Sequence, residues 1–176
     1  MVDPLTRFSV RQEDAMRRLL TIRRSLRQSQ VSEEWIVASV STTLETACTD
    51  LLDDLLRARE NQTDSPLERA MIRDQRSEMK ASWHSRLQWL SRGFSRTLSE
   101  DVNARLSALI ELRNAIAHNG DTFTPRQTQK YVDFLNLCQM LESQLDVRVK
   151  GTSFRLGEHT GNHAIDIGRQ VVTQLL

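Results

Sequence analysis

Residues 99–120 read SEDVNARLSALIELRNAIAHNG, and this stretch sets the expected fold. Val102, Leu106, Leu109, Ile110 and Ile116 recur at helical spacing, with Ala117 beside them. Ser99, followed by Glu100 and Asp101, supplies an N-cap and an acidic first turn. Asn119-Gly120 supplies the stop, because glycine takes the left-handed conformation that many helix ends need. The spacing predicts a helix over 99–118 whose apolar side other helices must cover. His118 then falls in the last turn, where the helix dipole favours a cation.

The same stretch carries the chain's clearest chemistry. At about 100° per residue, Asn114 and His118 share one face of the helix. Arg113 lies to one side, but its long stem can carry the guanidinium round. One edge of the helix end then presents a fixed positive charge, an amide and an imidazole. That set suits a phosphodiester: arginine binds two of its oxygens at once, and an imidazole can move a proton. The blander reading of such a pattern is a helix cap beside a solvated arginine.

The surrounding composition agrees with a helical scaffold. A chain of 176 residues is one domain with a sizeable core. Three prolines and six glycines leave room for long helices, and 5% aromatics disfavours an all-β architecture. A net charge of +1 gives no global pull towards nucleic acid, so any such site must be local. Cys48 and Cys138 sit in apolar helical patterns, and a reduced, buried pair in a cytosolic setting is expected. No apolar run approaches the roughly 20 residues of a membrane span, and the N-terminus lacks a signal-peptide core.

Upstream, residues 1–9 read as a loose lead-in and 10–29 as a helix with Met16, Leu19, Leu20, Ile22 and Leu26 on its apolar side. Its arginines, Arg17 and Arg24 among them, read as a solvated face or as a surface for the RNA backbone. Ser32 caps a second helix running to about Glu60, with Ile36, Val40, Leu44, Cys48, Leu51 and Leu55 as its stripe. Its carboxylates Glu45, Asp50, Asp53 and Asp54 lack the close spacing of a metal loop and should pair with arginines. Pro66 opens a strongly charged helix over 67–81. From Trp83 the apolar pattern strengthens, through Leu87, Leu90 and Phe94, and Gly93 should break or bend the helix. Arg92 and Arg96 lie among these aromatics, a combination that stacks bases or, more commonly, builds a core or dimer seam.

Downstream, Thr124 caps and Pro125 starts a helix with Val132, Leu135, Cys138, Leu141 and Leu145 as its stripe. Val147-Arg148-Val149 and Ser153-Phe154-Arg155-Leu156 alternate like short strands. His159 and His163 lack partner cysteines and read as a loop pair rather than metal ligands. Residues 163–176 read as a terminal helix or an arm onto a partner.

Arg113-Asn114 followed by His118-Asn119-Gly120, closing an apolar helix with another long helix behind it, resembles the HEPN domain family. The family signature is an arginine, usually a polar residue next, and a histidine after four to six intervening residues. Arg113, Asn114 and His118 match it, and the resemblance covers at least residues 99–149. It implies an all-α antiparallel bundle of about four or five helices over residues 1–150, with an irregular C-terminal extension over 151–176. It also implies a metal-independent endoribonuclease without cofactor, active as a homodimer and belonging to a toxin–antitoxin or anti-phage system. Arg113, Asn114 and His118 would be catalytic; Arg17, Arg24, Arg92 and Arg96, read above from their charge and aromatic neighbours, would then hold RNA. A second implied reading is a non-catalytic module binding nucleotide, RNA or a protein partner. In one branch of the family a tyrosine two residues after the histidine is modified by an antitoxin. That position here is Gly120, and the one tyrosine is Tyr131, which puts such control in doubt.

Overall fold

The computed structural model describes residues 4–28 and 31–176. These form eight helices and one two-stranded sheet: α1 Pro4–Arg27, α2 Glu33–Gln62, α3 Pro66–Met79, α4 Trp83–Phe94, α5 Glu100–Asn119, α6 Pro125–Thr128, α7 Tyr131–Leu145, β1 Val147–Lys150, β2 Ser153–Leu156 and α8 Thr160–Leu175. The helical class holds, with eight helices among the described residues where four or five were expected, and the short strands fall where the alternation placed them. The expected lead-in is instead helical from Pro4, while residues 1–3 lie outside the described residues. No helix among the described residues is long and apolar enough to cross a membrane.

The centre is α2. Ser32 caps it by accepting from the Trp35 amide, and Glu33 and Glu34 fill its first turn. Its stripe of Ile36, Val40, Leu44, Cys48 and Leu51 is fully buried. α1 and α8 pack along one side of α2, and α5 along another. Leu106, Leu109 and Leu112 are the fully buried leucines of α5. Ile110 and Ile116, expected in the core, are only half-buried, and Ala115 takes up the inner register near the helix end.

Residues 151–176 are not an extension. In α8, Ile165, Ile167, Val171, Val172 and Leu175 are 1%, 0%, 0%, 0% and 1% exposed. Full burial of such a side chain stabilises by about 1.5–3 kcal/mol. Five of them together rival the net stability of a whole domain, about 5–15 kcal/mol. Gly168 lets α8 approach closely: a Cβ there would stand 3.1 Å from Leu19 and 3.2 Å from Val40. One core therefore spans the proposed boundary at residue 150. The sequence hides this because two strands and glycine-rich turns precede α8.

The stripe of the 125–145 segment is also corrected. A capping box on Thr124 and Gln127 opens α6, which ends after one turn at Thr128, and Lys130 is extended before α7 begins. Leu141 and Leu145 are buried, but Val132 and Leu135 are 67% and 46% exposed. Cys138 is half-buried, whereas Cys48 is fully buried and its thiol is pushed up to about 12 by desolvation.

The acidic residues of α2 pair with cations. Arg11 bonds Asp54 and lies 2.9 Å from Asp50, and Arg86 reaches Glu45 at 2.9 Å. Asp53 meets Arg57 at 3.0 Å, Arg76 at 3.0 Å and Lys80 at 2.7 Å, tying α3 to α2. Desolvation pushes the Asp53 carboxyl up, but its bonds to Arg76 and Lys80 outweigh that and hold it down at about 2.

Candidate functional site

The motif ends α5, and the β hairpin fixes the chain just beyond it. Gly120 ends the helix where the glycine was read, with a positive φ of 70° that favours glycine, but its ψ of −98° lies outside the left-handed helical region that was expected. The Phe123 amide donates to the Thr152 carbonyl at 2.9 Å, and the Phe154 amide to the Asp121 carbonyl at 2.8 Å. Phe123 is buried between Phe134 and Phe154, with ring centroids 5.1 Å apart in each pair. Asn119 Nδ2 donates to the Phe123 carbonyl at 3.2 Å. These bonds hold the exit from α5 while leaving His118 exposed.

Asn114 and His118 line one open groove of about 450 Å³, as their i, i+4 spacing required. Asn119, Thr124, Pro125, Arg126 and Glu111 complete its lining. Arg113 is half-buried and donates from Nη1 to Asn114 Oδ1 at 3.4 Å, near the outer limit for a hydrogen bond. It touches the amide but lies outside the groove lining. The guanidinium lining the groove beside His118 is Arg126, on α6.

Arg126 and Glu111 were missed in the sequence. Arg126 Nη2 lies 2.9 Å from Glu111 Oε1, and Gln127 Nε2 donates to both Glu111 Oε2 and the Glu111 carbonyl at 2.7 Å. α6 is thereby docked on α5 one turn before the motif. The signal was present as an i, i+3, i+7 relation of Glu111, Asn114 and His118. What the sequence withheld was the fold of the 121–124 turn, which brings Arg126 back.

A second groove of about 600 Å³ runs between α4 and α5. Arg92 and Arg96 line it with Trp83 and His84, and Glu111 borders it as well as the first. Of the four arginines expected to hold RNA, these two therefore share a face of α5 with the motif. Arg17 and Arg24 are exposed on α1, and neither groove includes them. His159 and His163 do not converge on a metal site: no group of three His, Cys, Asp or Glu side chains among the described residues is arranged to hold an ion.

Comparison with known protein families, curated proteins and solved structures finds no match to this chain.

Proposed function

We propose that this chain is an endoribonuclease of the HEPN kind, acting as a cytoplasmic homodimer on RNA without a metal ion. The observation that carries the reading is the pairing of Asn114 and His118 in one solvent-open groove, with Arg113 bound to the same amide. In this reading a base takes the 2′-hydroxyl proton of a nucleotide, and the freed oxygen forms a bond to the adjacent phosphorus. The bond to the 5′-oxygen breaks, and an acid protonates that leaving oxygen. The products are a 2′,3′-cyclic phosphate and a 5′-hydroxyl. Two His118 side chains across a dimer, or one and a water, share the proton transfers. Arg113 offsets charge developing on the phosphate, and Asn114 orients it.

Dimerisation is supported by an uncovered apolar face at the start of α7. Tyr131, Val132 and Leu135 are 73%, 67% and 46% exposed, directly after the α6 turn that lines the groove. A toxin–antitoxin or anti-phage role, with a partner protein that restrains the activity, belongs to the same reading.

The second reading is a non-catalytic module that binds nucleotide, RNA or a protein partner at this groove. The position of Arg113 outside the lining favours it. The test is incubation of the purified protein with total RNA in EDTA, beside His118→Ala and Arg113→Lys. Cutting by the wild type and its loss in both variants upholds the nuclease. Lysine keeps the charge but loses the two-pronged donor. Binding without cutting upholds the module.

A further inference from the structure

We propose that the groove between α4 and α5 is the track along which single-stranded RNA approaches His118, with Trp83 as its base-stacking platform. This rests on the nuclease reading for its direction, but it makes a separate claim about binding. The first ground is continuity. Glu111 borders both grooves, so the α4–α5 groove and the one that holds Asn114 and His118 meet at this side chain. Along α5 the stripe Asn103, Ser107, Glu111, Asn114, His118 lines the whole path. Fifteen residues at 1.5 Å rise make it about 22 Å long. A short single-strand site of about four nucleotides is of this order.

The second ground is how Trp83 is held. Its side chain is half-buried at the groove. The Arg86 guanidinium carbon lies 5.7 Å from its ring centroid, and Arg86 is itself 8% exposed and anchored to Glu45 at 2.9 Å. A buried, ion-paired cation thus backs the indole and limits its motion. Trp83 also packs partly against the hydrophobic core, and the part of the indole that borders the open groove is where a base would stack.

The third ground is charge. Arg92, Arg96 and His84 line the same groove as Trp83, Arg92 about 13 Å further along α4, where the phosphates of a strand running along the groove would lie. Two carboxylates also border it. Glu111 is paired with Arg126, and Glu100 sits in the first turn of α5, where the helix dipole offsets its charge. A single strand is favoured over a duplex because stacking on a protein ring requires an unpaired base.

The test uses a fluorescein-labelled 2′-O-methyl RNA octamer of random sequence, which lacks the attacking hydroxyl, so that anisotropy reads binding alone. Trp83→Ala should weaken binding about 5- to 100-fold, the range for loss of one stacked base. Arg92→Glu should weaken it and flatten its salt dependence. Trp83→Phe, which keeps a ring, should retain most of the affinity and guards against a folding defect in the alanine variant. Arg169→Glu, on α8 outside both grooves, should bind as the wild type does. Wild-type affinity in Trp83→Ala and Arg92→Glu, or no binding by the wild type, overturns the track. RNA cutting with binding indifferent to Trp83 and Arg92 would refute the track and leave the nuclease standing. Binding that depends on both residues, without any cutting, would refute the nuclease and leave the track standing.

Discussion

Gly168→Val should destabilise the protein, and the sign of the effect distinguishes a core helix from an arm. A Cβ at residue 168 would already stand 3.1 Å from Leu19 Cδ2 and 3.2 Å from Val40 Cγ1. Valine adds two further carbons, and in a helix one χ1 rotamer strongly dominates, so the side chain has little room to turn away. Overpacking of this kind costs about 1–3 kcal/mol. Against it stands the better helix propensity of valine over glycine, worth only a few tenths of a kcal/mol. The packing cost wins, and the melting temperature should fall by about 1–11 °C at the usual 2–4 °C per kcal/mol for a chain of this size. Gly168→Ala asks its neighbours to move only a few tenths of an ångström, and its propensity gain of about 1 kcal/mol opposes that. It should stay within about 1 kcal/mol of the wild type. Adding Leu19→Ala to Gly168→Val should recover part of the valine-specific loss in a double-mutant cycle. Thermal denaturation followed by circular dichroism is the assay. If α8 were an exposed arm, valine would be neutral or stabilising, and that result would refute its place in the core.

Two further outcomes concern the scaffold. Leu109→Ala, at a fully buried position on α5, should cost about 2–5 kcal/mol, read as a shift in the urea midpoint at unchanged slope. Asp53 is held at about 2 against an ordinary value of 3.8, so its ion pairs contribute stability above pH 4 that is lost as pH falls towards 2. The urea midpoint should drop across that window, and in Asp53→Asn this part of the drop should be missing while stability at pH 7 is lower. A pH profile identical to wild type in the variant would remove Asp53 from the account.

Much of the helical frame was legible because local rules decide it. The caps Ser32, Ser99 and Thr124, the proline starts at Pro66 and Pro125, and the stop at Gly120 all fall where the residue chemistry puts them. The i, i+4 relation of Asn114 and His118 likewise survives into the shared groove. What failed needed tertiary information. Val132 and Leu135 carry a core-like spacing, yet the first turns of α7 leave them exposed, because spacing alone does not say which face of a helix its neighbours cover. α8 was illegible as core because a close approach at Gly168 depends on two helices far away in sequence. Arg113 and Arg126 show the same limit at the site: spacing named the nearer arginine, and the turn after α5 presents the other.

The most direct test of the nuclease proposal is the chemistry of the cut ends. Fragments of total RNA produced by the purified protein in EDTA should carry 2′,3′-cyclic phosphates and 5′-hydroxyls. His118→Ala should lower their yield by about 100- to 10,000-fold, the usual loss for one acid–base residue. It should do so without loss of fold, since His118 is exposed at the end of α5. Fragments ending in 3′-hydroxyls, or undiminished cutting by His118→Ala, would contradict the proposal.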